Sequence, residues 1–141
     1  MRITIYIVLL SFLVFGCQKQ KTQLKRINGM WEVKLVRVLD GEGFTFYDSI
    51  PQGTLEINSE IKNITGRVDF DYNFFGINQV QDSFVVEQAH FDMSEDGAHL
   101  IVQRATDTID IRVLLSSKNE LEFEYYDFQQ YRLRRFALRK L

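Results

Sequence analysis

From Gly29 onward, apolar and polar residues take turns along the chain. Trp31, Val33 and Leu35 fall on one side of an extended backbone and Glu32 and Lys34 on the other. That period of two belongs to a strand with one buried face. The alternation returns at Ile64–Phe74, where Gly66, Val68, Phe70, Tyr72 and Phe74 oppose Arg67, Asp69, Asp71 and Asn73. A helix would scatter those charges, whereas a sheet with one wet face sorts them. Two further segments repeat it: Ile109, Ile111, Val113 and Leu115 against Asp110 and Arg112, then Leu121, Phe123 and Tyr125 against Glu122 and Glu124.

Turn signals separate these runs. Asp40-Gly41-Glu42-Gly43 ends the first strand near Leu39, Phe44–Tyr47 reads as a short second strand, and Asp48–Gly53 as a loop around Pro51. Thr54–Ile57 is a third strand. Val80–Met93 is long enough for one bent strand or two, and Ser94-Glu95-Asp96-Gly97 is a hairpin turn by its Asp-Gly pair. The last strand spans Tyr131–Leu141, but its phase slips between Leu133 and Phe136, which predicts a bulge near Arg134-Arg135. Glu122 and Glu124 are expected opposite Arg132 and Arg134 on its outer surface. The sum is an all-β, antiparallel up-and-down meander of about 8–10 strands. Closing it into a barrel removes the two exposed edges that a flat sheet would leave.

Composition adds limits. A chain of 141 residues holds one domain. A formal net charge of −2 gives no whole-chain case for nucleic acid, and one cysteine excludes an internal disulfide.

The N-terminus differs from the rest. Met1-Arg2 precedes an apolar run, Ile3–Phe15, that is too short to span a bilayer comfortably but suits the centre of a secretory signal. The run ends in Val14-Phe15-Gly16-Cys17, which resembles the lipobox of bacterial lipoproteins. That resemblance implies cleavage of residues 1–16, a diacylglycerol on Cys17 and a membrane held through a lipid anchor. Residues 18–26 (QKQKTQLKR) read as a solvated, basic tether, so that Cys17 and the tether occupy 17–26 and the folded domain 27–141. No acidic residue directly follows Cys17, which leans toward the periplasmic side of the cell envelope rather than the cell surface.

Gly29-Met30-Trp31 at the head of an antiparallel meander resembles the lipocalin and lipocalin-like barrels, a group that includes small bacterial lipoproteins. The resemblance implies that Gly29 and Trp31 close one end of the barrel. It also implies that an arginine of the last strand packs across the indole; Arg135 is the candidate, with Arg132 and Arg134 behind it. The family's C-terminal helix is not expected here, because the last strand is read as running to Leu141.

Candidate chemistry is thin. His90 and His99 flank the Asp96-Gly97 turn and could face each other with Asp92 nearby, but two ordinary strand histidines are the simpler reading and no metal site is assigned. No Gly-x-Ser-x-Gly elbow occurs, and Asp69 and Asp71 face solvent, so no catalytic residue or cofactor is assigned and an enzyme is not expected. If the barrel is hollow, Phe46, Phe70, Tyr72, Phe84, Phe123 and Tyr125 line it and suit a small hydrophobic ligand. If those rings fill the barrel, the chain is instead a membrane-tethered protein-interaction module, with the loops at 41–43 and 48–53 as contacts.

Overall fold

The computed structural model describes residues 18–43, 45–48, 52–75 and 81–141, with side chains for all of these except 46–48, 74, 75 and 81. Nine strands follow one another: β1 (Gly29–Leu39), β2 (Thr45–Asp48), β3 (Gln52–Glu60), β4 (Thr65–Phe75), β5 (Gln81–Met93), β6 (His99–Gln103), β7 (Thr108–Ser116), β8 (Glu120–Asp127) and β9 (Arg132–Lys140). Each pairs antiparallel with the next from β3 to β9, and β9 pairs back onto β1. β3 and β2 take successive lengths of the other edge of β1, so eight strands close the ring and β2 extends one of its edges. The result is a closed up-and-down barrel, the architecture of lipocalin-like proteins.

The Asp-Gly hairpin joins β5 to β6, with Gly97 at φ 70°. Of the two readings of the stretch before Met93, one bent strand or two, the structure has one: β5 carries a bulge in which Glu87 and Gln88 together oppose Asp69. Gln88 adopts φ 47° there, and the Asp69 carboxylate accepts from both its backbone and its side-chain nitrogen at 2.7 Å.

The last strand departs from expectation. β9 pairs without interruption to both neighbours; the irregularity in its pairing with β1 lies across the seam, where Lys34 is the extra residue between Val33 and Leu35. Trp31 and Val33 therefore face inward, Val36 and Val38 continue the inner face, and Leu35 turns out to 40% exposure. The slip read in β9 has a different origin. Arg134 itself points inward, in phase with buried Phe136 and Leu138, so the strand keeps one register and carries a charge into the core. Glu124 consequently pairs with Arg135 at 2.8 Å, and Glu122 lies opposite Ala137.

Residues 18–27 form a helix, α1, where a solvated tether was expected. Gln, Lys, Leu and Arg are good helix formers. Leu24 and Ile27, three apart and so on one face, have no exposed surface. Together they contribute about 3–6 kcal/mol of burial. The helix ends at Asn28, whose N–H donates to the Leu24 carbonyl at 3.0 Å, and Gly29 enters β1 at φ 124°. α1 stoppers the end of the barrel where β3, β5 and β7 finish. Gln20 donates to the Ser94 carbonyl at 2.9 Å, the Ser116 hydroxyl donates to Gln23 at 2.8 Å, and the Ser59 N–H donates to Asn28 at 2.7 Å.

Candidate functional site

Trp31 sits directly above this stopper and is fully buried. Its indole N–H donates to the Ile27 carbonyl at 2.8 Å, so helix and barrel are joined through the ring. The cation across that ring is not Arg135. Lys140 places its ammonium 5.0 Å from the ring centroid and donates to the Asn28 carbonyl at 2.8 Å. Arg135 points outward to Glu124. Gly29 fits the same corner, because a Cβ there would lie 3.0 Å from the Lys140 Cε.

Above Trp31 the lumen is full of rings. Phe70 meets Phe84, Phe123 and Phe136 edge-on at centroid separations of 5.3, 5.6 and 5.0 Å. Tyr72 meets Phe136 at 5.1 Å, and Phe84 meets Tyr125 at 4.6 Å. A void of about 10 Å³ remains between Ile27, Leu55, Ile57, Phe123 and their neighbours, at or below the space one water needs. Phe70, Tyr72, Phe84 and Phe123, assigned from sequence to a ligand cavity, belong to one packed ring cluster with Tyr125 and Phe136. Phe46 belongs to β2, and its side chain lies outside the described residues, as does Cys17.

The end opposite α1 is polar. Asp82, at the start of β5, points inward in phase with Phe84 and Val86 and meets Arg134 from β9. Every N–H of the guanidinium is used. Nε and Nη2 donate to the two Asp82 oxygens at 2.7 and 2.6 Å, Nη1 donates to the Tyr125 hydroxyl at 2.7 Å and to Asp127 at 3.0 Å, and Nη2 also donates to Gln130 at 2.7 Å. Arg132 adds a second cation to Asp82 at 3.3 Å. Burial works against the Arg134 charge, but the hydrogen bonds to Asp82 and Asp127 and the electrostatic pull of Tyr125 and Asp82 together outweigh it and hold the guanidinium more firmly protonated than usual. Burial pushes the Tyr125 hydroxyl well above the ordinary tyrosine range, with Arg134 opposing that shift. Partial burial acts to raise the Asp127 carboxyl, yet hydrogen bonds from the Gln130 and Gln129 N–H groups and from Arg134 leave it below its usual value.

Beside this network a cleft of about 630 Å³ opens between the starts of β5 and β7 and the end of β8. Buried Phe84, Ile109 and Tyr125 supply its apolar side; Arg104, Asp110, Gln129 and Gln130 supply polar groups. At its edge Tyr126 and Phe128 meet edge-on at 4.8 Å, and Phe128 is 78% exposed. The cleft exists because β6 is short. It pairs with β5 only over His90–Met93, leaving Gln81–Ala89 without a strand on that side among the described residues.

The histidines do not converge. His90 is opposite Gln103 and lies 3.5 Å from Asp92, whereas His99 is opposite Arg112 and bonds Asp110 at 2.7 Å. No group of three His, Cys, Asp or Glu side chains among the described residues is placed to hold a metal ion. The residues that organise the polar end were missed as a set. Their signal was parity, since Asp82 and Arg134 each stand two residues from an inward-facing phenylalanine.

No protein-family model and no curated protein matches this sequence. Among solved structures, the chain is similar to a de novo designed fluorescence-activating β-barrel, with a TM-score of 0.51, 12% identity and coverage of 83% of this chain and 95% of that one. Further likenesses are to the S-type phycobiliprotein lyase from Guillardia theta (TM-score 0.44, 11% identity, 82% of this chain and 88% of that one), and to a deswapped triple mutant of bovine odorant binding protein (TM-score 0.44, 11% identity, 84% and 74%). At 12% identity the likeness to the designed barrel is one of fold alone.

Proposed function

We propose that this chain is a lipid-anchored protein of the bacterial cell envelope that binds a small amphipathic ligand at the open rim of a solid barrel, without catalysing a reaction on it. The observation that carries the reading is the contrast between two spaces. The interior void measures about 10 Å³, whereas the rim cleft measures about 630 Å³, within the range of small-molecule sites. An entirely apolar ligand would match only the side formed by Phe84, Ile109 and Tyr125; one with an apolar body and a polar head matches both sides of the cleft. The anchor is supported by the apolar run Ile3–Phe15 and by Gly16-Cys17, the sole cysteine. The periplasmic side is favoured because no acidic residue directly follows Cys17.

Mass spectrometry of small molecules that co-purify with the full chain from membranes tests the ligand. A species retained by the native protein and lost from a Tyr126→Ala/Phe128→Ala variant of unchanged Tm supports the site. Loss of nothing counts against it. Replacing Cys17 with serine should move the protein out of the membrane fraction, and unchanged fractionation would refute the anchor.

A second reading has its own support. Phe128 and Tyr131, 78% and 65% exposed, give the open end an aromatic surface that a protein partner could cover. Crosslinking of one defined protein through this rim, with no retained small molecule, would favour that reading.

A further inference from the structure

The two ends of the barrel carry opposite charge. At the α1 end, the helix and the turns 61–64, 94–98 and 117–119 hold six cations (Lys19, Lys21, Lys25, Arg26, Lys62 and Lys118) against two carboxylates, Glu95 and Asp96. At the open end, the described turn residues 40–43, 104–107 and 128–131 hold Asp40 and Glu42 together with the mutually bonded Arg104 and Asp107. A chain of net charge −2 thus concentrates a positive surface at one pole. The helix keeps it there. With Leu24 and Ile27 fixed inside the barrel, Lys19, Lys25 and Arg26 are exposed on the side facing away from the core. Gln20, Gln23 and Asn28 bond to three different parts of the barrel base, so α1 cannot swing clear without breaking all three contacts.

We infer that this pole is a docking face for the anionic surface of a lipid bilayer, holding the barrel base-down with its rim cleft pointing away from the membrane. The membrane as occupant follows from connectivity as well as charge. Cys17 directly precedes Gln18, so a lipid on that cysteine is attached one residue from the start of the cationic helix. Each cation close to an anionic leaflet is attracted, and the attraction fades within a Debye length, about 8–10 Å at physiological salt. A slack tether would let the barrel drift beyond that distance; a helix packed into the barrel does not. The inference rests on the anchor reading for delivery to the membrane, but the charged face itself lies wholly on described residues.

The test is lysine acylation footprinting of the membrane-purified full chain, reconstituted into phosphatidylcholine vesicles with or without about a third phosphatidylglycerol. Lys34, on the outer wall of β1, serves as internal reference. Labelling of Lys19, Lys25, Lys62 and Lys118 relative to Lys34 should fall by roughly threefold or more in the anionic vesicles and recover at about 1 M salt, where screening is strongest. In a Lys19→Gln/Lys25→Gln/Arg26→Gln variant, whose fold is checked by Trp31 fluorescence, Lys62 and Lys118 should label alike in both vesicle types. Equal labelling of the native chain in the two vesicles overturns the inference. So does equal protection by a soluble polyanion such as RNA at matched phosphate concentration, which would make this a general polyanion surface. Failure to remain on neutral vesicles would instead remove the anchor reading, while the anionic arm still reads docking.

Discussion

Asp82 and Arg134 join across the lumen from strands that are not neighbours in the barrel. Their side chains are 3% and 1% exposed, and two hydrogen bonds of 2.6 and 2.7 Å hold them together. Removing one partner leaves a buried charge without its counterpart, at a cost of about 3–5 kcal/mol. Asp82→Asn and Arg134→Met should each lower the urea midpoint strongly. The double variant Asp82→Leu/Arg134→Met should stand closer to the native protein than either single one. A double variant as unstable as the sum of the singles would show that the two charges act independently.

Lys140, not Arg135, should be the energetic partner of Trp31. Lys140→Met removes a cation over the indole face and a bond to Asn28, a loss of about 0.5–2 kcal/mol. Arg135→Ala breaks only a half-exposed pair with Glu124, a matter of about 0–1 kcal/mol. Equilibrium unfolding followed by Trp31 emission ranks the two, and a larger effect at Arg135 would contradict the assignment.

Gly66 should tolerate no side chain. An added Cβ would stand 2.5 Å from the Asn58 carbonyl oxygen and 2.6 Å from the Phe91 ring, between two strands that cannot part. Gly66→Ala is expected to cost about 1–3 kcal/mol by overpacking. A substitution that left Tm unchanged would mean the β3–β4 pairing has slack that the geometry denies.

Acid should weaken the polar end through Asp127. Its carboxyl has a lower pKa folded than unfolded, so the stabilisation it provides is complete above the unfolded value of about 3.9 and disappears as pH falls through the folded value. The native protein should therefore lose stability below about pH 4. Asp127→Asn should flatten that limb of a Tm-against-pH curve while lowering the plateau. An unaltered acid limb would assign the effect to other carboxylates.

Much of the barrel was legible because alternation is a local signal. The long run through Phe70 and Tyr72 and the Asp-Gly turn lie where the pattern of side chains puts them. What escaped was whatever depends on a distant partner. Arg134 counts as an outward residue until Asp82, 52 positions away, neutralises it inside, and the apparent fault in β9 is that miscount. α1 escaped because Leu24 and Ile27 are too few to show a helical period; only the barrel's open base gives them somewhere to go. Lys140 escaped because the bulge at Lys34 decides which C-terminal cation reaches Trp31. The rim cleft left no mark of its own, since it arises from the shortness of β6 and not from any motif.

The helical stopper also has a mechanical consequence. A pull arriving along the backbone from the residue before Gln18 does not meet slack chain; it loads Leu24, Ile27 and, through the bond from its indole, Trp31. Traction at that terminus is traction on the seal of the barrel, so a tug strong enough to uncork it would open the molecule from beneath.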